Sequence, residues 1–357
     1  MTISGFPAFD RTAAAAAALR AQLGEQSAQS ASGRRTTSFA GLGEDARRSV
    51  DLRAELARRE VLSRSAAMGE GRAAHTQTLL SRLTDIAKDM GASAGTLLGL
   101  NADNASIVAA SARSALSEVR GLLNERYQGE AVFGGGNPDD VPVPAEFDTS
   151  GMFTQIGSAI ATMAPGTGAV VRNTLRGIGA SDAAGVTPFS THATNAATGA
   201  IPDPRRSVPV EDGVAVPIGL YPNRNAGIPA STDADSTGSW ARDIVTGLAV
   251  VAQLDKAPDT RSADFRQLVQ GAIGLLRAGM NGAARESGAL GDAESRLADA
   301  RRRNDEVSAQ VETQIGRVED VDLAKVVAEM QATRTQLEAS YRSLSMLSDL
   351  SLTRFLR

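Results

Sequence analysis

The sequence predicts a mainly α-helical protein. Long N- and C-terminal helices pair as an antiparallel coiled-coil rod, and a loop-rich, strand-containing middle domain is inserted between them. Three observations predict it. Proline is confined to the middle of the chain, apolar residues recur at heptad spacing in both outer segments, and the chain is 42% hydrophobic but only 4% aromatic. Such a composition favours helices packed through Ala, Leu and Val over a core built on large rings.

Proline maps the layout. None occurs between Pro7 and Pro138, and none follows Pro258. A proline inside a helix costs about 3 kcal/mol, so the long Pro-free stretches permit long helices. In the first arm, Leu79, Leu83, Ile86, Met90, Ala94 and Leu97 form one heptad seam, and Val108, Ala112, Ala115, Val119 and Leu122 form another. Asn101-Ala-Asp-Asn104 between them offers turn chemistry and a candidate N-cap. In the second arm, Val307, Val311, Ile315 and Val318 make one seam. Val327, Met330, Leu337, Tyr341, Leu344 and Phe355 make the next, interrupted by Arg334, Ser348 and Ser351. Each seam implies a partner helix. Glu55 with Arg59, Asp299 with Arg303, and Glu338 with Arg342 are spaced for i,i+4 ion pairs.

The chain ends carry surplus apolar surface. Six alanines at 13–18 precede Leu19 and Leu23, and the last turns hold Leu344, Leu347, Leu350, Leu352, Phe355 and Leu356. A free helix with that surface must pack within the subunit or against neighbours. The middle is rich in Gly, Thr, Ser and Pro, with short apolar runs such as Val208–Ile218 bounded by turn residues. It reads as short strands and loops.

No constellation carries chemistry. The two histidines, His75 and His192, lack metal-spaced partners, and the chain has no cysteine, which excludes disulfides and thiolate metal sites. Gly134-Gly-Gly136 leads into Asn-Pro and reads as a turn, not a phosphate loop. Glu319-Asp-Val-Asp322 lacks calcium-loop spacing and reads as a solvated break between helices. No catalytic residue, metal or cofactor is expected. The net charge is −4, and the arginine pairs are dispersed among acids, so nucleic acid is not an expected partner. No stretch suits membrane insertion, and the start has no cleaved-signal pattern.

Several segments resemble the flagellin superfamily. Ser30-Ala-Ser32-Gly33-Arg34 is similar to its Ser-Ser-Gly-basic signature. Ser287–Leu297 is similar to its leucine-Gly helix start, and Val318-Glu319-Asp320-Val-Asp322-Leu-Ala324 to its Ile-Glu-Asp-x-Asp-x-Ala motif, here about 35 residues from the chain end. Within the family, Leu122–Gly135, with Tyr127, Phe133, Gly134 and Gly135, looks like the hook–filament junction (hook-associated) branch, as does the Leu-rich close. The paired Asp that often follows the Ser-Gly motif is missing, and Val132 stands where an aromatic is common.

The resemblance implies a secreted structural subunit at the hook–filament junction, with 1–43 and 319–357 as assembly helices, 44–130 and 260–318 as the rod, and 131–259 as a surface insert. It implies self-assembly through Leu19, Leu23, Val327, Met330, Leu337, Tyr341, Leu344, Leu347, Leu350 and Phe355. Implied partners are another hook-associated protein, flagellin, and an export chaperone on the C-terminal helix. The main filament subunit is the alternative reading, and a cytoplasmic coiled-coil signalling protein a second one.

Overall fold

The computed structural model describes residues 7–36, 38–99, 102–197 and 205–355. The side chains of 7–9, 196–197 and 347–355 lie outside the described residues, as does Asn101 of the expected turn. Helices dominate: α1 (Pro7–Ser32), α2 (Asp45–Gly95), α3 (Ala105–Leu123), α4 (Gly151–Ala161), α5 (Gly168–Gly179), α6 (Thr191–Ala197), α7 (Trp240–Val251), α8 (Ala263–Glu319) and α9 (Leu323–Phe355). Two antiparallel hairpins join them: β1 (Arg126–Tyr127) with β2 (Glu130–Ala131), and β3 (Ser207–Glu211) with β4 (Val214–Pro217). The mainly helical class read from the sequence is the observed one.

Contacts divide the chain into two compact units, residues 1–61 with 304–357, and residues 62–303. Long helices α2 and α8 contribute to both. They run antiparallel in each: Arg53 meets Glu319 and Arg59 meets Asn304 in the first unit, while Arg301 meets Glu70 in the second.

In the second unit, every member of the Leu79–Leu97 seam is buried, and Val108, Ala112 and Val119 of α3 join the same core. The middle of the chain contributes Phe133, Phe147, Ile156, Trp240 and Leu248 to that core, and α8 adds Phe265 and Leu276. The segment expected as short strands and loops therefore also holds α4 to α7. Helix α7 is only 12 residues long and its polar residues Arg242, Asp243 and Thr246 are buried with the rest, so it has no solvent face for a sequence pattern to mark. Its Arg242 donates to the carbonyls of Asn223, Gly179 and Ser181 and pairs with Asp182, which satisfies a charge that is otherwise costly to bury. The apolar run 208–218, read as part of a segment of short strands and loops, holds β3 and β4; Val208 and Val216 pack with Ala66 and Ala73 of α2 and Leu290 and Leu297 of α8.

Local expectations fared unevenly. Asn104 occupies the N-cap position of α3 without a side-chain cap bond. Glu55 pairs with Arg59 at 2.6 Å. Asp299 instead takes Arg302, Arg303 reaches Glu211, and Glu338 takes Arg334. Arg302 and Arg334 each lie within about one turn of their acid on the same helix, where i,i+3 and i,i+4 spacings compete closely. His75 stacks beside Tyr127 and His192 beside Tyr221, with ring centroids 5.4 and 6.3 Å apart.

The Tyr127–Gly135 motif is a folding device. The β1–β2 turn needs positive φ at Gln128 (53°) and Gly129 (84°). Phe133 is fully buried, with its ring centroid 5.9 Å from that of Trp240. Gly134 and Gly135 then pass so close to Asn137 and to the Tyr221 ring that a β-carbon would collide with them.

Candidate assembly site

The first unit brings the two terminal motifs together. Helix α1 ends at Ser32, whose hydroxyl donates to the Ala28 carbonyl at 2.7 Å. Gly33 follows with φ +71°, the left-handed C-terminal stop that glycine adopts readily. Across from it, α8 ends at Glu319 and α9 starts at Leu323. The two breaks form a short antiparallel bridge. Arg34 faces Asp320, the Arg35 amide donates to the Glu319 carbonyl at 2.7 Å, and the Val321 amide donates to the Gly33 carbonyl at 3.0 Å. The Arg35 guanidinium adds bonds to the Val318 carbonyl and to Asp45. Backbone groups freed by ending two helices thus satisfy each other.

Glu319 locks this crossing to α2. Its carboxylate accepts from Ser49 Oγ at 2.6 Å and, in a two-pronged pair, from Arg53 Nε at 2.7 Å and Arg53 Nη2 at 2.5 Å. The break between helices stands where the sequence placed it, but it is not solvated throughout. The Glu319 side chain is 8% exposed, because it closes the α8 seam that runs through Val311 and Val318. Asp320 and Asp322 do face solvent. Asp322 is the N-cap of α9, its Oδ1 accepting from the Lys325 amide at 3.2 Å. A cleft of about 160 Å³ opens beside the crossing, with Arg34, Phe39 and Leu42 among its walls.

The hydrogen bonds from Arg53 hold the Glu319 carboxyl down at about 2, against an ordinary 4.5. A depressed carboxylate stabilises the fold above its unfolded value and loses that contribution as pH falls through the folded one. The window here is from about 4.5 down to about 2. We expect Glu319→Gln to cost about 2 kcal/mol at neutral pH, the half-exposed Arg53 being partly screened. Acid titration of the unfolding transition by circular dichroism should show the wild type losing stability across that window, with the variant flat by comparison. Equal slopes would remove Glu319 from this role.

From the crossing, α1 and α9 run back antiparallel, with the Arg20 guanidinium 5.1 Å above the Tyr341 ring. The seam between them keeps Met330, Leu337 and Leu344 of the expected register but takes the preceding residue at the layers between. Val326, Thr333 and Leu337 are buried and Met330, Ser340 and Leu344 half-buried, facing buried Ala16 and Gln26 and half-buried Leu19 and Leu23. Arg334 therefore does not interrupt the seam; it lies outside it, and Thr333 fills the layer. Val327 and Tyr341 are each 37% exposed, beside Leu323 at 50% and Met346 at 66%. Of the residues read as assembly contacts, then, Leu337 is used inside the subunit, Leu19, Leu23, Met330 and Leu344 are shared between inside and surface, and Val327 and Tyr341 are presented to solvent. Leu347, Leu350 and Phe355 lie outside the described side chains. Tyr127, Phe133, Gly134 and Gly135 sit in the other unit and are not brought to this crossing.

Sequence reading missed Ser49 and Arg53. The available signal was a glutamate next to a helical seam, which demands a cation, but the partner lies some 266 residues away and no local spacing identifies it.

The segment built around this crossing matches a known family. Residues 273–356, most of α8 together with α9, match the bacterial flagellin C-terminal helical region. Over those residues the chain is similar to the flagellins. No curated protein matches the sequence. The flagellin region includes Glu319, Asp320 and Asp322, and it supports placing the chain in the flagellin superfamily as a structural subunit of the bacterial flagellum that self-assembles. Among the described residues, no helix is long and apolar enough to cross a membrane, and no group of three metal-ligating side chains occurs.

Proposed function

We propose that this protein is the structural subunit that joins the flagellar hook to the filament, held in place by polymerisation of its terminal segments, 1–43 and 319–357. The observation that carries the assembly half is the flagellin region ending in α9, a helix that satisfies one apolar face against α1 and leaves Leu323, Val327, Tyr341 and Met346 uncovered. Burying each such side chain against a neighbour contributes about 1.5–3 kcal/mol. Head-to-tail contacts of this kind build a helical layer when they do not close on themselves. The junction half rests on the Leu122–Gly135 segment and the Leu-rich close. The partners are further copies of the chain, another hook-associated protein, flagellin, and an export chaperone holding the C-terminal helix before secretion.

The main filament subunit is the second reading, since the matched region serves it equally well. Electron microscopy of a deletion strain separates them. We expect bare hooks, with filament protein shed into the medium. Filaments of normal composition and length would refute the junction role, and loss of the bulk filament protein itself would establish the second reading.

A further inference from the structure

Two buried carboxylates hold the loop 223–239 that leads into α7, and one of them has no cation beside it. Glu286 of α8 fixes the near end. Its oxygens accept from the Ala226 and Gly227 amides at 2.6 and 2.8 Å, with Arg205 close enough to favour its charge. Asp243, in the first turn of α7, fixes the far end. It is 1% exposed and accepts from Ser236 Oγ and the Thr237 amide, each at 2.5 Å, and from Thr237 Oγ1 at 2.6 Å. Every one of these donors belongs to the loop. We infer that the loop is a clasp governed by proton uptake at Asp243, tightening in mild acid and loosening as the pH rises, the reverse of the terminal crossing at Glu319.

The elements around Asp243 offer its charge no counterion among the described residues. On α7 itself, Arg242 is turned onto Asp182 and the Asn223 carbonyl. Helix α8 meets α7 through Leu276, Gly279 and Gly282, and α4 has no charged residue. The charges of α3 are committed to Arg82, Asp255 and Glu146. From α5, Arg172 pairs with Asp235 at 2.7 Å and Arg176 donates to the Ala234 carbonyl. The loop adds Asp233, a second negative charge. A buried carboxyl without a counterion favours its neutral form. Here burial outweighs the hydrogen bonds and pushes Asp243 up to about 6, from an ordinary 3.8. The loop can hold the neutral acid as well. Oδ2 then donates to Ser236 Oγ, which also accepts from the Gly238 amide at 2.9 Å, and Oδ1 keeps both bonds from Thr237. In an opened loop the carboxyl meets water and titrates in its ordinary range. The closed form therefore binds the proton more tightly. That advantage is complete below about 3.8 and is lost as the pH rises through about 6. Burial raises Glu286 too, in the same direction, against the pull of Arg205 and the amides.

Hydrogen exchange of the intact subunit tests this, read by mass spectrometry on peptides spanning 231–239 and corrected for the intrinsic effect of pH on exchange. Between pH 4.5 and 7 the Glu319 carboxyl stays ionised, so the terminal crossing does not contribute. Protection of the Thr237 and Gly238 amides should fall at least tenfold from pH 4.5 to pH 7. The urea midpoint read from Trp240, whose amide donates to Asn225 Oδ1 in the same loop, should fall with it. Asp243→Asn removes the titrating group and should make the protection independent of pH. Its side-chain amide may not suit the Thr237 donors, so Asp233→Asn provides a second variant. Asp233 is exposed, and asparagine keeps the oxygen that accepts from the Asp235 amide at 3.0 Å. With that neighbouring charge gone, the midpoint of the protection change should move to lower pH. Wild-type protection that is flat, or that rises with pH, would overturn the clasp. A midpoint unmoved by Asp233→Asn would assign the titration to a different group and overturn it equally.

Discussion

Gly135→Ala should destabilise the second unit by about 2–5 kcal/mol, a large share of the roughly 5–15 kcal/mol that holds a typical domain together. Two causes add. The residue sits at φ +62°, where a side chain costs about 1–2 kcal/mol. Its new β-carbon would stand 2.0 Å from the ring of Tyr221, which is fully buried and has nowhere to move. Overpacking of this kind costs about 1–3 kcal/mol. The backbone cannot retreat either, since the Gly135 amide donates to the Leu220 carbonyl at 2.9 Å and its carbonyl accepts from the Arg206 amide at 3.2 Å. Gly129→Ala supplies the control. That position also has positive φ, at 84°, but a β-carbon there meets nothing within 4 Å, so only the conformational cost of about 1 kcal/mol applies. Trp240 is the chain's single tryptophan and lies in this core, so urea unfolding followed by its fluorescence reads the difference. Equal midpoints for the two variants would show that the close approach to Tyr221 is not what this glycine provides.

That contrast also shows where sequence reading succeeds and stops. The long helices were legible because their burial has a period: every residue from Leu79 to Leu97 that was assigned to the seam is in the core. In α9 the period held at Met330, Leu337 and Leu344 but slipped by one residue at the layers between, where Val327 and Tyr341 face outward and Val326 and Ser340 take their places. A free helix is placed by its apolar residues, whereas this one is placed by the crossing at Gly33 and Val321, which fixes its rotation before the seam is counted. The middle of the chain was least legible. Helix α7 is short and buried on every side, its Arg242, Asp243 and Thr246 included, and Gly135 was read as a turn residue although half of its role is the ring of a tyrosine far along the chain. At the crossing, the sequence marked Gly33, Glu319 and Asp322 as a pattern without showing that they meet. Pairing across most of the chain's length is set by the whole fold and leaves no local trace.

Removing residues 341–357 should abolish assembly while leaving the second unit's unfolding transition unchanged. The truncation ends α9 at Ser340, so it keeps the crossing, the Asp322 cap and the buried layer of Val326, Thr333 and Leu337. It discards Tyr341 with its contact to Arg20, half-buried Leu344, exposed Met346 and the leucines beyond. Loss of as little as two leucine-sized contacts per subunit interface, about 4 kcal/mol, raises the concentration needed for assembly by roughly a thousandfold. The internal loss is smaller, because α1 keeps its partner from Leu23 to Ser32 and only the turns around Ala16 and Leu19 are left uncovered. The expected product is therefore a folded, soluble subunit found in the culture medium or the cell but absent from sheared flagella, with the Trp240 transition at its wild-type midpoint. A truncated chain that still enters flagella in normal amount would place the driving surface elsewhere.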